Sequence, residues 1–204
     1  MQTIAILDYG MGNLRSVKKA LEHVAANKKI IITDNKETLN DADKIVFPGQ
    51  GSTKACLEAI KKHDLEDIIK KSALEKPFLG ICLGMQLLFE KSEEDKHSNC
   101  LSILKGEVKK LPNIGIKIPH MGWNKVKQTK SHPLWHNIAD NSFFYSVHSY
   151  YVVPNNKKVE QGETYYGINF TSVVAKGNIF AVQFHPEKSQ SDGLKLLKNF
   201  ANWS

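Results

Sequence analysis

The first half of the chain alternates short apolar runs with helical stretches, and this rhythm narrows the fold more than any other feature. Thr3–Leu7, Lys29–Thr33, Lys44–Phe47 and Pro77–Ile81 read as strands. Leu14 to about Ala26 carries apolar residues at helical spacing (Leu14, Val17, Leu21, Val24). Helical patterns recur from Ser52 to Lys62, from Asp64 to Leu74 and from Leu83 to Glu90. Strands alternating with helices build βαβ units and a parallel sheet. The second half changes character: Phe143–Val147, Tyr150–Val153, Thr164–Phe170, Ser172–Ala175 and Ile179–Phe184 are β-like runs between Asn, Gly and Pro turns. Leu194–Phe200 closes the chain as a helix. The expected fold is α/β, an open and mainly parallel sheet flanked by helices, with an antiparallel extension. At 204 residues, with no internal repeat or linker, residues 1–204 are expected to form a single domain.

Charge and cysteine content exclude several classes. Lys+Arg outnumber Asp+Glu by 28 to 21, a formal charge of +7, but Arg15 is the sole arginine. Arginine is the side chain suited to bidentate phosphate and guanine contacts. Lysines spread along the whole chain fit a solvated surface better than a nucleic-acid patch. Cys56, Cys82 and Cys100 cannot all pair, and no CxxC occurs, which fits a reducing compartment without structural zinc. His132 and His136 lie four apart, but Pro133 stands between them and no HExxH is present, so no metal is expected. The N-terminus reads as a strand rather than a signal peptide. The longest nearly apolar run, Pro77 to Phe89, is too short to span a bilayer. A soluble cytoplasmic protein, with no membrane and no nucleic-acid partner, is the expectation.

Gly80-Ile81-Cys82-Leu83-Gly84 is the strongest local signal. It places a cysteine in the G-x-nucleophile-x-G pattern between an apolar strand and an apolar helix. Glycines let the backbone turn sharply there, and a helix N-terminus favours a thiolate and an oxyanion. The same five residues also fit a buried cysteine in a tight turn. A cysteine nucleophile needs a base. His185 ends the strand-like run Ala181–Phe184, and Glu187 lies two residues on, on the same side of an extended segment. Glu187 can therefore orient the imidazole, although on these residues alone a turn with a solvated glutamate fits better. Pro48-Gly49-Gln50-Gly51 follows a strand and precedes a helix, so its N–H groups can face a developing negative charge, or the loop is an ordinary βα turn. Gly10-Met11-Gly12 lacks the third glycine of a dinucleotide fingerprint.

In this order, Pro-Gly-Gln-Gly, Gly-Ile-Cys-Leu-Gly-Met-Gln and Gln-Phe-His-Pro-Glu resemble the class I glutamine amidotransferases, whose triad is Cys-His-Glu. Asp8–Leu14, Pro119–Asn124, Phe144–Tyr150 and His185–Ser189 narrow the resemblance to the glutaminase subunits of imidazole glycerol phosphate synthase. The resemblance runs from the first strand to the last helix, while Lys91–Cys100 and Lys125–Asn141 carry little of it. It implies a flavodoxin-like core and no cofactor. It implies Cys82, His185 and Glu187 as catalytic residues, with an oxyanion hole at Leu83, Gln50 and Gly51. Gly51, Gln86, His148, Ser149 and Tyr150 match positions that hold the glutamine head group.

The implied partner is a (β/α)8-barrel cyclase subunit, in a heterodimer that passes ammonia to a formimino ribonucleotide acceptor. Asn13, Met121, Trp123, Tyr145 and Lys188 would face that partner; without the resemblance, Met121 and Trp123 read more simply as core. Gln50 departs from the small apolar residue often found in the oxyanion strand. Two rival readings stay open: an amidotransferase of the same class serving another acceptor, such as an amino-sugar pathway, and a triad-bearing scaffold.

Overall fold

A computed structural model describes residues 1–95 and 98–203. Lys91–His97, a charged stretch that reads from the sequence as a surface loop, therefore lies partly outside the described residues. Strands β1 (Thr3–Leu7), β2 (Lys29–Thr33), β3 (Lys44–Gly49) and β4 (Phe78–Cys82) alternate with helices α1 (Leu14–Val24), α2 (Lys36–Asp41), α3 (Thr53–Lys62) and α4 (Glu66–Glu75). Helix α5 (Leu83–Gln86) follows β4 directly. Beyond it come β5 (Lys91–Ser92), β6 (Ser98–Asn99), β7 (Gly106–Lys110), β8 (His120–Gln128), β9 (Ser142–His148), β10 (Tyr150–Pro154), β11 (Glu160–Tyr166), β12 (Ile168–Lys176), β13 (Ile179–Val182) and α6 (Gln190–Asn202).

Strands β2-β1-β3-β4-β13 lie side by side and parallel. From β13 the sheet continues through antiparallel β12 and β10 to β7. Strand β11 branches from β12, pairs with β8, and β8 pairs with β9. The parallel core and antiparallel extension are the architecture the sequence predicts. Both faces of the parallel strands β1, β3, β4 and β13 are buried, as crossover helices require, and β2 at the edge is half-buried. Ala5, Leu7, Ile45 and Phe47 pack into one core with α3 and α4. Ile4, Ile6, Val46 and Ile81 pack into the other with α1 and α6. Among the described residues no helix is long and apolar enough to cross a membrane.

Two expectations need correction, and further elements were not expected. Thr164–Phe170 is not one strand: the chain reverses at Gly167, whose φ of +72° suits a residue without a side chain, and β11 pairs back on β12. The helix expected over Leu83–Glu90 ends at Gln86, and Leu87–Phe89 are buried turns. Helix α2 was not expected; Asn35 caps it by accepting the Thr38 N–H at 2.8 Å.

Close packing between β3 and α5 positions the site. A Cβ on Gly84 would lie 1.9 Å from the Phe47 carbonyl oxygen, and one on Gly49 would lie 2.7 Å from the Gly84 nitrogen. From below, the Tyr9 hydroxyl donates to the Pro48 carbonyl at 2.8 Å, and the Cys56 thiol to the Gln50 carbonyl at 3.3 Å. The strand-to-helix turn is thus held against β3 by backbone contact. We predict that Gly84→Ala lowers stability by at least the ~1–3 kcal/mol typical of overpacking. A urea unfolding midpoint equal to wild type would contradict this packing.

Candidate active site

Cys82 ends β4 and precedes the first residue of α5, with φ 55° and ψ −113°. A non-glycine residue adopts a positive φ only where its surroundings over-determine it. The sequence pattern of an elbow is therefore a real strained turn. Gly49 of β3 pairs with Cys82, and Val182 of β13 pairs with Ile81. These registers bring the Gln50–Gly51 segment to one side of the thiol and the chain leading to His185 to the other. Leu83 opens α5, so its N–H belongs to the first turn, where donors have no partner within the helix.

The His185 Nδ1 atom lies 2.9 Å from Glu187 Oε1, and both side chains are almost wholly buried. The other ring nitrogen, Nε2, is buried without a hydrogen-bond partner in the protein, and the Cys82 sulfur is the group beside it. Burial alone would lower the imidazole pKa; the Cys82 sulfur and the Glu187 carboxylate outweigh it and raise the value to about 10. His185 is held in place by three further bonds. Its N–H donates to the Tyr145 carbonyl at 2.9 Å, its carbonyl accepts the Ser189 hydroxyl at 2.6 Å, and that same hydroxyl accepts the Tyr145 N–H at 2.9 Å. The 3-10 turn Pro186–Lys188 thus docks on β9 and aims the imidazole inward.

Cys82 and His185 line a cavity of about 390 Å³. Its walls include Gln50, Gly51, Leu83, Gln86, His148, Ser149 and Tyr150, every residue predicted for the oxyanion hole and the glutamine head group. Gln86 uses Nε2 twice, donating to the Tyr150 carbonyl at 3.0 Å and to Gln183 Oε1 at 2.9 Å. His148 has both ring nitrogens engaged, with the Tyr150 carbonyl and with His120. Two residues were missed. Gln183 Nε2 lies 3.8 Å from the Cys82 sulfur. Glu94 lines the cavity, and its Oε2 accepts both the Thr53 N–H and hydroxyl at 2.8 Å. Gln183 stood in a quoted motif; Glu94 stood in a charged stretch that looked like solvated loop.

The residues predicted for a partner face fall into two groups. Trp123 and Tyr145 pair across β8 and β9 with ring centroids 6.0 Å apart, and Lys188 Nζ sits 5.9 Å from the Tyr145 ring centroid. Met121 is two residues before Trp123 on β8, and these two are 59% and 45% exposed, so neither is core. Asn13 stands on a separate element, at the residue preceding α1. His132 packs on the Phe180 and Trp203 rings, and burial lowers its pKa to about 4.

The family model described as glutamine amidotransferase class-I matches residues 5–203. The imidazole glycerol phosphate synthase subunit HisH of Hydrogenovibrio crunogenus is 52% identical, covering 98% of this chain and 96% of its own length. The same subunit of Nitrosomonas europaea is 50% identical over the full length of both. The solved structure of PurLQS from Thermotoga maritima superposes with a TM-score of 0.75 at 20% identity, covering 99% of this chain and 98% of that one. At that identity the likeness bears on fold alone.

The raised His185 pKa makes a signed prediction. The folded state holds the ring proton more tightly than the unfolded chain, whose histidine titrates near ~6.5. The resulting stabilisation is complete below pH ~6.5 and is lost as pH rises through about 10. Unfolding free energies of wild type and Glu187→Gln, measured across that range, should converge as pH rises. A gap that stays constant would contradict the coupling.

Proposed function

The chain belongs to the glutamine amidotransferase class-I family, and to its imidazole glycerol phosphate synthase subunit HisH branch; on that premise we propose how its residues work. The protein is the glutaminase subunit of that synthase and acts in histidine biosynthesis. Cys82 is our nucleophile, and one observation carries that choice. Its sulfur sits on a left-handed turn, beside a histidine that a buried carboxylate holds at 2.9 Å, inside a cavity large enough for an amino acid.

His185, which the Cys82 sulfur and Glu187 keep protonated, holds the proton drawn from the thiol, and Cys82 attacks the side-chain amide carbon of glutamine as a thiolate. The imidazolium then gives that proton to the leaving ammonia, while Glu187 keeps Nδ1–H oriented and stabilises the charge. The Leu83 N–H and one N–H of the Gly49–Gly51 segment hold the oxyanion. Loss of one such donor typically costs ~3–4 kcal/mol of barrier. Water hydrolyses the glutamyl thioester by the reverse proton path, and glutamate leaves.

Gly51, Ser149 and Tyr150 contribute the walls around the head group. Gln86 has spent its donor on protein, so its amide oxygen is what it offers to the substrate ammonium. Glu94 adds a carboxylate acceptor on the same wall. His148 acts from behind Tyr150, since its nitrogens are engaged.

The relatives are named as one subunit of a synthase, so the chain works with a second subunit. We take that subunit to be a (β/α)8-barrel cyclase that receives the ammonia and yields imidazole glycerol phosphate and an aminoimidazole carboxamide ribonucleotide. The row of exposed Met121, Trp123 and Lys188 and half-buried Tyr145, with Asn13, is the face we assign to it; aromatic anchors of this kind dominate interface energetics. Residues 1–204 act as one glutaminase domain, and three unpaired cysteines favour the cytoplasm.

Glutamate release in the complex, with the acceptor present, tests the reading. Cys82→Ala should lower it by at least ~10³-fold while the chain stays folded. Release that persists in the variant would overturn the mechanism. Release that ignores the barrel subunit would move the acceptor to another pathway.

A further inference from the structure

His120 is a buried titratable residue that the mechanism leaves without a task. It opens β8, is 3% exposed, and stands opposite His148 in the β8–β9 pair. Its Nδ1 lies 2.9 Å from His148 Nε2. The His148 Nδ1 lies 2.8 Å from the Tyr150 carbonyl oxygen, which can only accept. His148 therefore carries its proton on Nδ1, and its Nε2 must accept. His120 then donates from Nδ1, which leaves its own Nε2 as an acceptor for the Asn124 amide at 3.2 Å. With both rings neutral, this is the one arrangement that satisfies every contact. Burial favours it by lowering the two pKa values, to about 4 for His120 and about 3 for His148. The His120 ring also stacks on Tyr166, centroids 4.0 Å apart, so its plane is fixed.

The chain of bonds does not stop at Tyr150. Its carbonyl also accepts from Gln86, Gln86 donates to Gln183, and Gln183 faces the Cys82 sulfur. At the other end, His120 and Asn124 point inward from β8, while Met121 and Trp123 between them point outward and are exposed. The strand that presents the apolar outer row thus bears on its inner side the first link of a polar chain ending at the nucleophile.

We propose that His120 is a positioning residue, which locks the His148 tautomer so that Tyr150 and Gln86 hold the wall of the glutamine pocket in register with β8. The inference rests on the glutaminase reading of that pocket. A shift of β8 is felt at Tyr150 because the two His rings are a rigid donor–acceptor pair. Loss of the His120 donor leaves His148 Nε2 buried and unpaired, and frees its ring to turn away from Tyr150.

Two variants and one spectrum test this. In the complex with the second subunit, His120→Phe keeps a flat ring against Tyr166 but donates nothing. Its KM for glutamine should rise about 10-fold, the equivalent of ~1.4 kcal/mol, with kcat within about 2-fold of wild type. His120→Asn, whose amide nitrogen falls near the Nδ1 position, should recover KM to within about 3-fold. Nitrogen-15 NMR of the isolated wild-type chain should show both rings neutral at pH 7 and protonated on Nδ1. An unchanged KM in His120→Phe, an equal rise in both variants, or an Nε2–H tautomer at His148 would each overturn the proposal. Failure of the wild-type complex to release glutamate would instead overturn the glutaminase reading, and the tautomer spectrum would still judge the His120–His148 pair.

Discussion

A single strained turn organises this molecule. Cys82 holds φ at 55° because β4 enters the turn paired on both sides and α5 leaves it pressed against β3. Such a conformation costs of order 1–3 kcal/mol, and packing around it must supply that. The supply is visible at Gly84, which has no room for a side chain beneath the Phe47 carbonyl, and at Gly49, which faces the Gly84 nitrogen. The same contacts that hold the thiol up also set the Gln50–Gly51 segment beside it. Cys82 and the Gln50–Gly51 segment are thereby one rigid unit, anchored from below by Tyr9 and Cys56.

The second half of the chain supplies what the parallel core lacks. Strand β13 inserts beside β4 and ends at Val182, three residues before His185, so His185 arrives by strand register rather than by a long loop. Glu187 follows in a turn that Ser189 ties to β9. A buried histidine and carboxylate would be costly apart; together, and next to a sulfur, they form a charge arrangement that favours the protonated ring. The antiparallel ribbon β8–β9 adds two services. Its outer side exposes an aromatic row, and its inner side closes the cavity through His148.

Much of this was legible in the residues. The run Thr3–Leu7 coincides with β1, because a strand buried on both faces shows as a continuous apolar stretch, and Lys29–Thr33 coincides with the half-buried edge strand β2 through Ile30–Ile32. The elbow glycines announced the turn at Cys82. Strand β8 was invisible for a physical reason. In its first half the inward residues, His120 and Asn124, are polar and the outward ones, Met121 and Trp123, apolar, so the alternation is reversed there and turns ordinary only at Lys125–Lys127. Helix α5 looked longer than it is because Leu87–Phe89 are apolar on every side and carry no period. Glu94 reads as solvated charge until α3 is placed beside it, since the Thr53 backbone and hydroxyl that engage its carboxylate lie far back in the chain.

The account rests on Cys82 being the one thiol that glutamine can reach and His185 can activate. A glutamine-derived diazoketone, which alkylates an activated thiol as nitrogen leaves, tests this directly in the two-subunit complex. Peptide mass mapping should find a single adduct, on Cys82, abolished in His185→Ala and blocked by excess glutamine. An adduct on Cys56 or Cys100, or equal labelling without His185, would contradict it.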